Sequence, residues 1–271
     1  MLMGEGIKLR LQKEFNVPVD APCIRPDLFK TLGNEKIKNL DLHVGNKVKG
    51  LKDLFEVEGE FSDEITIDGD LSNFKGIGHK MESGKITIRG TVGMHTGAEM
   101  SGGKIIIEGN ASDWLGAELQ GGMIRVKGNA GNLVGAGYRG SKVGMRGGMI
   151  IVEGGVGNEV GALMRRGTIA VGNAGDFTGC FATGGSILVW GDTGERTGAF
   201  MSRGTIVLYH EPKLLPTFKY GCAYNPVFLR MLLRLLSNWV DVDPQYITGN
   251  YKRYSGDITE LGKGEILIWV G

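Results

Sequence analysis

Residues 102–117 read GGKIIIEGNASDWLGA. Two glycines and Lys104 lead into Ile105 and Ile107, which alternate about Ile106 as one face of a short strand. Gly109 ends that strand, and Gly116 follows seven residues later. The same phrase is written eight times. Its paired aliphatics are Ile65/Ile67, Ile86/Ile88, Ile105/Ile107, Ile124/Val126, Ile150/Val152, Ile169/Val171, Ile187/Val189 and Ile206/Leu208. The steps between first members are 21, 19, 19, 26, 19, 18 and 19 residues. A post-strand glycine recurs at Gly69, Gly90, Gly109, Gly128, Gly154, Gly172 and Gly191, and a later one at Gly76, Gly97, Gly116, Gly135, Gly161, Gly179 and Gly198.

Self-similarity at so short a period marks a repeat architecture. One copy cannot bury both of its aliphatics. Stacked copies would pair equivalent strands in parallel, ~4.8 Å apart, and pile equivalent aliphatics into a column. Glycines suit the tight corners such stacking needs. The pattern predicts an all-β chain: a right-handed parallel β-helix (a solenoid) of about 7–8 coils with ~19-residue repeats, plus a short C-terminal helix and an irregular N-terminal cap. Three regions follow: a leader and cap over 1–60, the glycine-rich repeats over 61–210, and a C-terminal cap with a helix and a final strand over 211–271.

Composition narrows the function classes. Glycine supplies 47 of 271 residues, but periodically and beside 41% hydrophobic residues, which excludes disorder. Lys plus Arg (31) balances Asp plus Glu (30), so no global basic field points to nucleic acid. Cys23, Cys180 and Cys222 are too few and too scattered for a disulfide framework or a thiolate cluster, and fit a reducing compartment. The start MLMGEGIKLRLQKEF lacks a signal-like apolar core, and no apolar run is long enough to span a bilayer. A cytoplasmic protein without a membrane span is expected.

Outside the repeats the pattern changes. Ile7, Leu9 and Leu11 alternate as one strand, and Asp27 to Leu32 suit a helical turn. In PVFLRMLLRLLSNW (226–239) the apolar residues Phe228, Met231, Leu232, Leu235 and Leu236 have amphipathic helical spacing. The ending ILIWV is strand-like and suited to return to the sheet.

Motifs that suggest chemistry are better read as structure. GNAGNLVGAG (128–137) and GDTGERTG (191–198) look like phosphate-cradling loops, but the same glycines recur in seven copies and no helix follows them. The hexapeptide β-helix of acyltransferases needs strict six-residue phasing, whereas Gly84, Gly90, Gly97 and Gly103 are spaced 6, 7 and 6. His95 stands where other copies hold Trp114, Leu133, Glu159, Phe177 and Arg196, which favours packing over ligation. Cys180 replaces a small alanine. No His/Cys pair has metal-ligand spacing, and no acids pair as in glycosidases. Catalytic, metal and cofactor-binding residues are therefore expected to be absent.

Two features suggest a partner instead. About seven extra residues lie within GYRGSKVGMRGG (137–148), bringing Tyr138, Arg139, Lys142 and Arg146 together, with Arg165 and Arg166 one copy later. Insertions in repeat proteins project from one face. This one is either a solvated basic loop or a contact for an acidic protein surface or an anionic substrate tail. The second feature is the position between the inward aliphatics. It reads Thr66, Thr87, Ile106, Arg125, Ile151, Ala170, Leu188 and Val207, with Trp190 and Tyr209 one residue on. An apolar outward column needs a cover, so Ile106, Ile151, Leu188 and Val207 are candidate partner-binding residues, with the C-terminal helix able to cover part of the column.

The periodic glycines from Gly84 to Gly204 resemble the C-terminal domain of the glutamate synthase large subunit. The length, the capped repeat array and the ending GDITELGKGEILIWV (256–270) resemble more closely the family of C subunits of formylmethanofuran dehydrogenase. That resemblance implies a non-catalytic subunit of an archaeal, methanogenic complex that reduces CO2 to formate with ferredoxin electrons and condenses it with methanofuran. Its partners would be formate-dehydrogenase-like, amidohydrolase-like and iron–sulfur subunits. A tungsten or molybdenum pterin, iron–sulfur clusters and a dinuclear metal site would sit on those subunits and not here. A stand-alone glutamate-synthase-like module in nitrogen metabolism is the alternative. An independent β-helix enzyme acting on sugars or acyl groups is a third reading, without a catalytic cluster to support it.

Overall fold

The computed structural model describes residues 6–271; the first five residues of the expected 1–60 leader lie outside the described residues. The chain opens with β1 (Ile7–Leu11), β2 (Val19–Asp20), α1 (Pro26–Phe29), α2 (Asn34–Lys38), β3 (Asp41–Val44), β4 (Lys47–Gly50) and β5 (Phe55–Glu58). The repeats supply β6 (Glu64–Asp68), β7 (Phe74–Lys75), β8 (Lys85–Arg89), β9 (Lys104–Ile107), β10 (Met123–Val126), β11 (Arg146–Val152), β12 (Arg166–Val171), β13 (Thr183–Val189) and β14 (Arg203–Leu208). The last part holds β15 (Lys219–Tyr224), α3 (Val227–Leu236), α4 (Pro244–Thr248), β16 (Tyr251–Gly256) and β17 (Lys263–Trp269).

The expected right-handed parallel β-helix of 7–8 coils is corrected by this topology. The strands form a 13-stranded mixed sheet in the order β15-β16-β17-β14-β13-β12-β11-β10-β9-β8-β6-β1-β5, beside a second sheet of four strands, β4-β3-β2-β7. In the large sheet the antiparallel pairs lie at the ends. β5 joins β1 at one edge, and β15 and β16 extend β17 at the other. A stacked array leaves unpaired backbone groups at both ends, and local antiparallel returns satisfy them. The N-terminal cap is likewise not irregular. It supplies β1, β5, two short helices and most of the small sheet.

Between the ends, register follows the aliphatic repeat. Ile65, Ile86, Ile105, Ile124, Ile150, Ile169, Ile187 and Ile206 are successive parallel partners. The column continues beyond the repeats to Ile7 on one side and Ile266 on the other. Burial on one face fixes this register, because a one-residue slip would turn every isoleucine outward. These side chains form one core with Leu71, Leu115, Val134, Val160 and a row of methionines including Met81, Met100, Met145, Met164 and Met201.

Side-chain ladders hold the turns between rungs. Asp113 Oδ1 accepts from the Asn132 backbone N–H at 2.7 Å, Asn132 Oδ1 from Asn158 at 2.9 Å, Asn158 Oδ1 from Asp176 at 2.9 Å, and Asp176 Oδ1 from Glu195 at 2.7 Å. A parallel ladder runs from Asn110 to Asn129 and from Asn129 to Gly155. Corner N–H groups that no strand can pair are thereby satisfied. Gly131 is small for this reason: a Cβ there would sit 2.1 Å from Asp113 Oδ1. Gly116 meets a different demand. Its φ is +59°, and a Cβ would lie 2.6 Å from Ile150 Cδ1 in the core.

The C-terminal helix forms, but in a different phase from that expected. Leu229, Leu233 and Leu236 are buried, while Val227, Phe228, Met231 and Leu235 face outward. Both sides of the helix are apolar, so spacing alone could not choose the core side. The buried side packs on Ile151, Ala170, Leu188, Val207 and Leu267 to make a second core. Among the described residues no helix is long and apolar enough to cross a membrane.

Candidate functional site

The insertion after Gly137 lies over an aromatic cluster. Tyr138 packs against Trp114 with ring centroids 4.9 Å apart and against His95 at 5.6 Å. The Tyr138 hydroxyl is 3.0 Å from His95 Nδ1, and its backbone N–H donates to Glu118 Oε1 at 3.1 Å. Burial first, and Lys75 second, lower the His95 pKa below its ordinary value. Burial first, then Glu99 and Glu118, push the Tyr138 hydroxyl up to about 12. The pair therefore stays neutral near pH 7, and His95 serves as a packing residue. Of the insertion's cations, Arg146 reaches Glu118 at 3.9 Å, while Arg139 and Lys142 are exposed and make no ion pair among the described residues.

Tyr138 and Arg139 border an open groove of ≈ 330 Å³ whose apolar walls include Trp114, Leu133, Leu163 and Phe181. The floor holds Ala162 and Cys180. Burial, with Glu159 adding to it, pushes the Cys180 thiol up to about 12, which keeps it protonated and poorly nucleophilic. Side chains reach this face from an unusual backbone. His95, Trp114, Leu133, Glu159, Phe177 and Arg196 all have φ between 58° and 63°. Lys80, Glu99, Glu118, Leu163, Phe181 and Phe200 form a second left-handed row. Non-glycine residues rarely adopt this conformation, and here each turn imposes it in copy after copy. The first row is legible in the sequence as a set of equivalent positions. The second was missed, although Glu99, Glu118, Leu163, Phe181 and Phe200 each stand two residues beyond Gly97, Gly116, Gly161, Gly179 and Gly198, which was a signal for it.

The outward column divides in two. Ile106 is half-buried, whereas Ile151, Leu188 and Val207 are buried beneath α3, so their cover is the chain's own helix. Arg125 interrupts the column and pairs with Glu153 at 2.7 Å, beside a groove of ≈ 730 Å³ that Trp190 and Trp239 also line. The outer face of α3 stays bare: Val227, Phe228, Met231 and Leu235 are exposed. Phe181 and Phe200 are exposed on the left-handed face and stack with centroids 5.0 Å apart. Among the described residues no group of three or more His, Cys, Asp or Glu side chains is placed to hold a metal ion.

Known proteins share this pattern. The GXGXG motif family matches residues 74–219. The C subunit of a tungsten-containing formylmethanofuran dehydrogenase 2 from Methanothermobacter wolfeii is 43% identical over 97 residues, which are 34% of this chain and 36% of that relative. The chain thus aligns with only about a third of the length of such dehydrogenase relatives. The C subunit of the formyltransferase/hydrolase complex Fhc of Methylorubrum extorquens is 49% identical over 260 residues, covering 96% of this chain and 98% of the relative. A chain in the crystal structure of the formyltransferase/hydrolase complex (FhcABCD) from Methylorubrum extorquens, in complex with methylofuran, superposes with a TM-score of 0.90 at 31% identity, covering 97% of this chain and all of that one. With a family match over more than half of its length and a near-full-length relative at 49% identity, this chain belongs to the GXGXG motif family, among the proteins named as the C subunits of formylmethanofuran dehydrogenase and of the Fhc complex.

Proposed function

We propose that this chain is a structural subunit of a multi-subunit complex that transfers or hydrolyses a formyl group carried on a methanofuran-type cofactor, and that it performs no chemistry of its own. One observation carries the reading: kinship with the C subunit of the Fhc complex runs through both caps as well as the repeats, over 96% of the chain. The shared caps matter because they carry exposed apolar surface, including the outer side of α3. Such surface on a folded chain suits burial against partners. Three groups that could do chemistry are occupied structurally. His95 is tied to Tyr138, and the Cys23 and Cys180 thiols are pushed up, to about 11 and about 12, chiefly by burial.

A second reading keeps the same subunit role within a CO2-reducing formylmethanofuran dehydrogenase. Partners would be formate-dehydrogenase-like, amidohydrolase-like and iron–sulfur subunits, carrying the tungsten or molybdenum pterin, the clusters and a dinuclear metal site. The 43% identity to the C subunit of a tungsten-containing enzyme favours it, but that match leaves most of both chains unaligned.

Purification of the native complex through an affinity tag on this chain separates the two. Formyl transfer or formyl hydrolysis with a furan-type carrier, without molybdenum or tungsten, is the expected result. Stoichiometric molybdenum or tungsten together with CO2 reduction would establish the second reading. Recovery of this chain alone, without partner subunits, would overturn both.

A further inference from the structure

We propose that the row of strand starts bearing Arg166, Arg203 and Lys263, with the neighbouring exposed Phe181, Phe200, Ile258 and Leu261, is a docking surface for a partner protein subunit that presents an apolar patch rimmed by carboxylates. This rests on the reading of the chain as an assembly subunit, and names the face and the chemistry of what binds it.

Charge placement is the first argument. In the earlier strands cations find partners: Glu64 with Lys85 at 3.7 Å, Asp68 with Arg89 at 3.5 Å, and Glu108 with Lys127 at 3.3 Å, and where Lys104 faces Lys85 in register its ammonium lies 4.1 Å from the Trp239 ring centroid. At the start of the later strands cations also meet, without such partners. Arg146 is the register partner of Arg166, and Arg203 is the register partner of Lys263. Like charges directly opposite each other destabilise a sheet. Only Arg146 is relieved, by Glu118 at 3.9 Å; Arg166, Arg203 and Lys263 are exposed and make no ion pair among the described residues. Glu260, in the adjacent loop, pairs with none of them.

The aromatic pair is the second. Phe181 and Phe200 are 50% and 46% exposed and stack with planes 9° apart. They occupy the left-handed position that Lys80, Glu99 and Glu118 fill in earlier copies, so the turn itself does not call for an apolar ring. The loop that anchors Phe200, through Asp257 Oδ2 accepting its backbone N–H, also exposes Ile258 and Leu261. Four exposed apolar residues beside a row of unpaired cations have the anatomy of an interface core with a charged rim. A polyanion alone would satisfy the cations but leave Ile258 and Leu261 wet, which favours a protein.

The test uses the complex assembled by co-expression of this chain with its partner subunits. Arg166→Gln/Arg203→Gln/Lys263→Gln and, separately, Phe181→Ser/Phe200→Ser should each weaken association by ~10-fold or more, as expected for central interface groups. Wild-type association should weaken with salt, and less so in the Gln variant. The isolated Arg203→Glu chain should melt no lower than wild type and up to about 1–3 °C higher, because the new carboxylate faces Lys263. Acylation of Lys263 in the wild-type complex needs no variant, and protection relative to the free chain is expected. Unchanged association of both variants, or equal labelling of Lys263, overturns the docking surface while leaving the assembly reading intact. Failure of the wild type to gather any partner subunit overturns the assembly reading and this proposal with it. Oligonucleotide binding by the isolated chain that disappears in the Gln variant would also overturn it, in favour of a nucleic-acid site.

Discussion

His95 Nδ1 lies 3.0 Å from the Tyr138 hydroxyl, a bond that ties the insertion to a turn 43 residues earlier in the chain. Burial lowers the His95 pKa from 6.5, so the fold favours neutral imidazole and the unfolded chain binds the proton more readily. The stability contributed is therefore full above about pH 6.5 and is lost as pH falls through the folded-state value. His79 shifts in the same direction, again chiefly by burial, so acid sensitivity by itself does not identify His95. Thermal melts at about pH 7.5 and about pH 5.5, on either side of the ordinary histidine value, separate the two. His95→Gln should show a smaller drop in Tm between them than wild type. An equal drop would assign the acid sensitivity elsewhere.

The Asn ladders make a prediction about stability. Asn132 accepts the Asn158 backbone N–H at 2.9 Å, and its own backbone N–H donates to Asp113. Asn132→Ala should cost about 1–2 kcal/mol by leaving a corner N–H without its acceptor. Gly131→Ala should cost more, because its Cβ would lie 2.1 Å from the Asp113 oxygen, which must move and break the next bond in the ladder. Denaturant titration of both variants checks the order. If Gly131→Ala proved the milder of the two, the ladder would not be what requires glycine at that turn.

The ladders were not legible in the sequence, but the strands they join were. The spacing of Ile65, Ile86 and their successors identified the register correctly because burial acts on side chains of fixed period. The glycine count showed that corners repeat. What closes the ends was not legible. Pairing of β5 with β1, and of β15 and β16 beyond β17, depends on segments outside the period, so the expected parallel array had to give way to a mixed sheet. The side of α3 that faces inward was hidden for a related reason. With Phe228, Leu229, Leu232, Leu233, Leu235 and Leu236 all apolar, only contact with Leu188 and Val207 decides the phase. The exposed candidate residues were only half legible. Arg139 and Lys142 were exposed as read, while Phe181 and Phe200 were not singled out, because the spacing alone did not show the left-handed backbone on which they sit exposed.

Removal of the internal cover should separate two kinds of burial. Leu233 is fully buried and packs over the outward column, not within the inner core. Leu233→Asp should detach α3 and expose Ile151, Leu188 and Val207 while the inner isoleucine column stays in register. The loss of a buried leucine, with a carboxylate left against an apolar surface, is worth ~3–5 kcal/mol locally. Hydrogen exchange should accelerate over α3 and leave β9 and β10 protected. Uniform loss of protection would show that both cores unfold as one unit.

The insertion gives the last prediction, and its residues divide by what they touch. Tyr138 is held by Trp114, His95 and the Glu118 carboxylate, so Tyr138→Ala removes ring packing and should cost ~1–3 kcal/mol. Tyr138→Phe keeps the ring and removes only the His95 bond, for about 0.5–1.5 kcal/mol. Arg139 and Lys142 touch no carboxylate among the described residues, so Arg139→Ala/Lys142→Ala should leave the melting curve unchanged. Their exposure, with Arg139 lining the Trp114–Phe181 groove, leaves association as the property they can alter. The double variant should lower the on-rate for partner subunits and flatten its salt dependence, since exposed charges at an interface act chiefly through steering. Adding Arg146→Ala should also loosen the Glu118 contact, a surface pair worth at most ~1 kcal/mol, so any larger effect of the triple variant on assembly must come from the partner side. Stopped-flow association at two salt concentrations measures this. An on-rate identical to wild type at both would make the insertion a solvated loop whose one structural role is to carry Tyr138 back to His95.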